Sequence, residues 1–267
     1  MRLVFGPFKP RKPILGVVFA GEVVETGTAT TTYKKGDRLF GWTSIMGLGG
    51  HAEFIALREN GAFTRMPDGM TWTDAAAIPF GFGTARHFLS KANVSMGQRV
   101  LIYGASGAVG SAAVQLAKQL GAEVTGVCST RNVELVRSLG AHEVLDYTKD
   151  ALLSHRDSFD VVFETVGKLP FKDSLTLVKP QGTIITGSEM PAQMLKRVLG
   201  GKGGKQVTVI GGTAAESAAD MQLIADLWQR REIRPVIDST FPLERIRDAH
   251  TLAESGKKVG SVVITLP

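Results

Sequence analysis

The sequence predicts an α/β protein in which a doubly wound parallel sheet follows a smaller β-rich module. Three observations carry this expectation. Before about residue 80, short apolar segments alternate with glycine-rich breaks, whereas beyond it strand-sized apolar runs alternate with helix-period stretches. The third is the turn Tyr103-Gly104-Ala105-Ser106-Gly107-Ala108-Val109-Gly110, placed where a strand feeds a helix.

The first module reads as short strands at 14–19, 22–25, 37–40 and 52–57, separated by turn residues. From about Thr84 the order becomes helix, strand, helix, strand, with strands expected at 100–103, 124–128, 143–146, 161–164, 183–186 and 207–210. Six strands with intervening helices suffice for a dinucleotide-binding domain. A helix at 244–254 and a strand at 262–265 close the chain, and that strand could extend the sheet or return to the first module. The expected division is 1–80 for the β module, joined by 240–267, and 81–239 for the nucleotide domain.

A dinucleotide's pyrophosphate needs exposed backbone N–H groups at a helix N-terminus and no side chain in the way. Residues 103–110 offer this, with Gly107 and Gly110 matching two glycines of G-x-G-x-x-G and Ala105 in the place of the first. The context strengthens the match. A second strand follows, and Leu120-Gly121-Ala122 and Leu139-Gly140-Ala141 each read as a helix stop before a strand.

The end of the second strand distinguishes the two nicotinamide dinucleotides. NAD-preferring sites carry Asp or Glu there for the ribose hydroxyls, but this stretch runs Val127-Cys128-Ser129-Thr130-Arg131-Asn132. Two hydroxyls and a guanidinium suit a 2′-phosphate, so NADPH is the expected cofactor. The plainer alternative is that Ser129, Thr130 and Arg131 only cap the next helix.

Composition excludes several classes. With 267 residues, 43% hydrophobic and 21% charged, the chain can bury one large core or two modest ones. No apolar run approaches the roughly 20 residues of a membrane span, and no signal-peptide pattern opens the chain, so a cytoplasmic protein is expected. The single cysteine, Cys128, excludes an intrachain disulfide and every multi-cysteine zinc site. It reads as a buried small hydrophobe. The 31 basic and 25 acidic residues leave +6, which suits a phosphate-rich ligand but is too diffuse for nucleic acid. The basic clusters at 9–12 and 196–205 lack interleaved aromatics and read as solvated loops. His51, His87, His142, His155 and His250 are scattered without metal-ligand spacing.

Several ordered segments now carry a resemblance: Pro13-Ile14-Leu15-Gly16 leading to Ala20-Gly21-Glu22-Val23-Val24, Lys35-Gly36-Asp37-Arg38-Leu39-Phe40-Gly41, Ala75-Ala76-Ala77-Ile78-Pro79 before Gly83-Thr84-Ala85, the turn at 104–110, and residues 260–264. Over essentially its whole length the chain resembles the medium-chain dehydrogenase/reductase superfamily, in its zinc-free, zeta-crystallin-like quinone oxidoreductase branch. The resemblance implies a Rossmann domain beside a GroES-like β module, with the latter N-terminally incomplete because relatives carry several dozen residues before the Pro-Ile-Leu-Gly segment. An unpaired sheet edge at 14–19 is then expected. Zinc-dependent relatives place Gly-His-Glu where this chain reads Gly16-Val17-Val18, and a further ligand near Phe80. Val and Phe cannot ligate zinc, so no metal is expected.

Carried over residue by residue, the resemblance implies that Ser106, Gly107, Ala108 and Val109 cradle the pyrophosphate. Ser129 and Arg131, beside Thr130, hold the 2′-phosphate with Tyr147 nearby, and Thr84, Val166 and Gly187 line the nicotinamide end. No catalytic side chain is assigned, since a quinone or α,β-unsaturated carbonyl accepts hydride from a positioned cofactor and a proton from solvent. His51, within Gly49-Gly50-His51-Ala52-Glu53-Phe54, is the histidine nearest a family cleft segment. Where relatives carry Arg-Gly-Lys before the last strand, this chain has Val259-Gly260-Ser261, so a cation there must be Lys257 or Lys258. The implied function is NADPH-dependent reduction of a quinone or activated alkene by a homodimer. The alternatives are an NADPH-binding protein with lost or altered catalysis, and a zinc-free alcohol or aldehyde reductase.

Overall fold

The computed structural model describes residues 13–43, 48–187, 206–215 and 217–266. The basic clusters at 9–12 and 196–205 lie outside the described residues. Two compact units divide the chain: Met1–Gly83 with Glu216–Pro267, and Thr84–Ala215.

The first unit opens with an antiparallel sheet of β1 (Val18–Glu22), β2 (Arg38–Trp42) and β3 (Phe63–Arg65), in that order. Phe40 and Trp42 are buried on one face of it, and Phe63, paired with Gly41, is buried on the other. The expected strands at 14–19 and 22–25 form one strand, β1, and 52–57 is not a strand at all. Instead Gly49 and His51 donate their N–H to Leu15 O and Gly50 donates to Gly16 O, and Phe54 beyond them is exposed, so no ladder follows. Among the described residues β1 has β2 as its one sheet neighbour, and Ile14 and Leu15 before it are exposed. Helix α1 (Trp72–Ile78) starts where the Thr71 side chain accepts from Asp74 N, and passes into a π-helical turn, Pro79–Gly83.

The second unit begins with α2 (Thr84–Lys91) and then alternates β4 (Arg99–Tyr103), α3 (Ala108–Gln119), β5 (Glu123–Cys128), α4 (Val133–Ser138), β6 (Glu143–Asp146), β7 (Phe159–Glu164), α5 (Phe171–Leu177), β8 (Val178–Thr186) and β9 (Thr208–Gly211). The sheet order is β6-β5-β4-β7-β8-β9, parallel throughout. The order reverses between β4 and β7, the switch point at which doubly wound sheets receive nucleotides. Val100, Leu101 and Ile102 are all fully buried, so β4 is covered on both faces, as a central parallel strand must be. On one side Leu101, Val127, Leu145, Phe159, Val162, Leu177 and Ile184 form a continuous core.

Helix α3 is buried from Gly110 through Ala117 because its residues there are mostly small, allowing close approach to neighbouring elements. It ends as its sequence predicts: Ala122 N donates to Ala117 O and Gly121 N to Lys118 O, the two bonds of a Schellman stop.

The chain then returns to the first unit. Helix α6 (Ala218–Gln229) is capped by the Ser217 side chain, and its Gln222 accepts from Thr64 Oγ1 of β3 at 2.5 Å. The sequence reading assigns this helix to the nucleotide domain, whereas it groups here with the β module. After β10 (Ile237–Pro242) and α7 (Ile246–Glu254), β11 (Ser261–Thr265) pairs parallel to β10 in a separate two-stranded sheet. Ser261 Oγ donates to Ala77 O of α1, so of the two courses open to the last strand, the return to the first unit is the one taken.

Candidate cofactor-binding site

Every sequence-predicted cofactor residue lies in the second unit, most of them at the carboxyl ends of its strands. Gly104 follows β4 with φ +81°, and both its N–H and that of Ala105 donate to Val127 O of β5. A Cβ at Gly104 would lie 2.6 Å from Val166 Cγ1, so backbone conformation and space both demand glycine. The tight-turn glycine of the motif is therefore Gly104, one place before Ala105, which is a buried core residue.

Gly107 is the N-cap of α3 and has no side chain to satisfy the first helical N–H groups, so those of Ala108 and Val109 are left as donors. The glycines differ in what surrounds them. A Cβ on Gly107 would meet only Gly104 O at 3.4 Å, whereas one on Gly110 would lie 2.1 Å from the same oxygen. Gly110 lets the helix close on its turn, whereas a side chain at Gly107 would meet little.

At the end of β5, Ser129 Oγ and Ser106 Oγ both accept from Asn132 Nδ2, at 3.3 and 2.9 Å. The Thr130 hydroxyl donates to Asp146 Oδ2 at 2.5 Å, and the Thr148 hydroxyl donates to Asp146 Oδ1 at 2.7 Å. Asp146 is buried at the end of β6. The Thr130 hydroxyl, ahead of Thr148 and Lys149, holds its carboxyl below the usual carboxylate range against the opposing pull of burial. Thr130 thus spends its one proton on a carboxylate and keeps only acceptor capacity. Arg131 is exposed on the turn Thr130–Asn132. Tyr147 is also exposed; its N–H donates to Cys128 O, and its ring lies 6.4 Å from that of Tyr103.

The loop after β7 is built around Glu164. Its buried carboxylate accepts from the backbone N–H groups of Val166, Gly167 and Lys168, at 2.9, 2.6 and 3.2 Å. Thr165 Oγ1 donates to Tyr103 O at 2.8 Å, which ties this loop to the end of β4 and lays Val166 against Gly104. Gly187 N donates to Glu164 O, bringing the end of β8 alongside. Thr84 opens α2, which packs on α3.

Comparison with known proteins follows the same lines. A family described as zinc-binding dehydrogenase matches residues 139–264. The chloroplast envelope quinone oxidoreductase homolog of Arabidopsis thaliana is 32% identical over 274 aligned residues, covering 97% of this chain and 82% of the relative. The chain belongs to the medium-chain dehydrogenase/reductase superfamily. A second relative, the chloroplastic NADPH-dependent alkenal/one oxidoreductase of Arabidopsis thaliana, is 29% identical over 97% of this chain, which spans 66% of that protein's length. The solved quinone oxidoreductase from Coxiella burnetii superposes with a TM-score of 0.82 at 25% identity, over 96% of this chain and 81% of its own.

As a dehydrogenase/reductase superfamily member the chain has further groups of interest. Burial, with the Asp146 charge adding to it, pushes the Cys128 thiol up to about 11, so it is no nucleophile. Among the described residues no group of three or more His, Cys, Asp or Glu side chains is placed to hold a metal ion. His51 and His250 stack edge to face at 5.7 Å, and burial, then the neighbouring His250, lowers the basicity of His51. The Lys258 ammonium donates to Gly260 O within its own loop. Three residues that sequence reasoning passed over, Asn132, Asp146 and Glu164, organise the loops of this candidate site. Only Glu164 and Asp146 left a trace, as carboxylates at the ends of apolar strands.

Proposed function

We propose that this chain is an NADPH-dependent reductase of quinones or α,β-unsaturated carbonyl compounds that works without a metal. The observation that carries the reading is the open helix end at Gly107, beside Ser129 and Arg131 at the end of the neighbouring strand. Ser106, Gly107, Ala108 and Val109 are suited to hold a pyrophosphate, through backbone N–H groups and one hydroxyl. Ser129 and Arg131, with Tyr147 alongside, suit a 2′-phosphate; Thr130 shapes the turn through Asp146. Thr84, Val166 and Gly187 are assigned to the nicotinamide end. When bound, the nicotinamide supplies hydride. The protein's part is to fix that ring, and a solvent proton completes reduction of an electron-poor acceptor.

Supporting the substrate class, the two relatives are named for quinones and for alkenals or enones. Val17 and Val18, standing where zinc-dependent relatives carry ligands, support chemistry without zinc. A lone buried cysteine suits a reducing compartment such as the cytosol. No described helix is long and apolar enough to cross a membrane.

The test is turnover by the purified chain. NADPH oxidation is expected with 1,4-benzoquinone or an alkenal, unchanged by a chelator and absent with a saturated aldehyde. Tight NADPH binding without acceptor-dependent oxidation would sink the enzymatic reading, and reduction of the aldehyde alone would replace it with an alcohol or aldehyde reductase.

A further inference from the structure

We propose that Asn132 is the positioning residue that makes donors of Ser106 and Ser129 toward the two phosphate groups of NADPH. The inference rests on the cofactor reading above and concerns how that site gains its polarity. A serine hydroxyl carries one proton and two lone pairs, whereas a cofactor phosphate presents acceptors. Which way each hydroxyl points its proton therefore decides whether the serine attracts the phosphate.

Asn132 stands at the N-cap of α4, where its side-chain oxygen would ordinarily accept from the helix's first N–H groups, yet it makes no such bond. Its side chain is buried and its amide nitrogen bonds outside the helix. Its two N–H donors go to Ser106 Oγ at 2.9 Å and Ser129 Oγ at 3.3 Å. The two serines follow adjacent parallel strands, β4 and β5, so one amide bridges the turn assigned to the pyrophosphate and the turn assigned to the 2′-phosphate. By donating to both oxygens it occupies a lone pair on each and leaves each proton free for another acceptor. The adjacent Thr130 shows the opposite arrangement. Its hydroxyl proton goes to Asp146, so that hydroxyl has no proton for a phosphate.

The test measures dissociation constants for NADPH and NADH by nicotinamide fluorescence, with melting temperatures, for the full chain and for Asn132→Ala, Asn132→Asp, Ser129→Ala and the Asn132→Ala/Ser129→Ala pair. Asn132→Ala is expected to weaken NADPH on the order of tenfold and NADH less, since only NADPH uses both serines. Asn132→Asp keeps the shape but replaces a donor with a charged acceptor that captures the serine protons, so NADPH should bind it more weakly still. In the Ser129→Ala background, Asn132→Ala should leave the NADPH-to-NADH ratio unmoved. A residue that merely tethers the two turns predicts otherwise: serines donating to the aspartate would restore the tether, and both cofactors would move together.

NADPH binding to Asn132→Asp equal to or tighter than to Asn132→Ala overturns the proposal, as does an unchanged ratio in both. Should the Asn132 variants not fold, Ser129→Ala must selectively weaken NADPH and Ser106→Ala must weaken both cofactors, and any other pattern overturns it. A wild-type chain that binds NADPH no tighter than NADH defeats the cofactor reading itself. A wild-type preference that survives every Asn132 substitution defeats only the role of Asn132.

Discussion

In the proposed NADPH site, Arg131 is the residue expected to decide between the two cofactors. A guanidinium bonded to a phosphate makes charge-assisted hydrogen bonds, so Arg131→Ala should weaken NADPH relative to NADH by about 1.5–3 kcal/mol, read from paired titrations. Equal losses would remove it from the site. The turn glycines make a second pair of contrasts. Gly110→Ala drives a methyl into the Gly104 carbonyl and should destabilise the fold by about 1–3 kcal/mol or prevent folding, as denaturant melts would show. Gly107→Ala has room and an ordinary extended backbone, so it should cost under about 1 kcal/mol of stability while weakening NADPH. Asp146 adds a pH dependence. Its native carboxyl titrates below the unfolded value, so the stability it contributes is complete above about pH 4 and is lost as pH falls through the lower native value. The gap between wild type and Asp146→Asn should therefore be constant from pH 8 to 5 and close in stronger acid. A gap that instead closed on raising the pH would contradict the assignment.

At the scale of elements, the parallel sheet was the legible part. Apart from β8, which starts five residues earlier than expected, its strands stand within two residues of their predicted places, because strands covered on both faces are written as largely apolar runs. Helix stops were legible for the same local reason, with glycine and the following alanine closing α3. The β module read less well. Strand β3 has three residues and no pattern to detect, and 52–57 alternates like a strand although its neighbours take their hydrogen bonds elsewhere. The candidate site was half visible. The glycine turn and the residues after β5 announce themselves by spacing, but the Asn132 bridge joins residues 26 apart and follows only from two strand ends lying side by side. Leu101, at the middle of β4 and fully buried, offers the measure of the sheet's core: Leu101→Ala should cost about 2–5 kcal/mol in chemical denaturation.

For the whole molecule, cofactor binding and folding are linked. Any ligand that binds only the folded chain stabilises it in proportion to the logarithm of its concentration over its dissociation constant. NADPH at a hundredfold excess over that constant should add about 2.7 kcal/mol and raise the melting temperature by several degrees, with NADH at the same concentration adding less. A larger shift with NADH would reverse the assignment of cofactor. Among the described residues β6 and β9 are the outer strands of the parallel sheet, and if the chain forms the homodimer that its resemblance implies, sedimentation would report it directly.

Cys128 acquires a different significance if the substrates are quinones and activated alkenes. Such compounds are Michael acceptors, and the groups they alkylate first in proteins are thiolates. With its thiol pushed up to about 11, Cys128 is almost wholly protonated at neutral pH, and it is buried besides. The chain has no other cysteine. It can thus work in the presence of electrophiles that inactivate thiol enzymes, and it should emerge from a turnover experiment without a covalent thiol adduct, while the same chain unfolded would be alkylated.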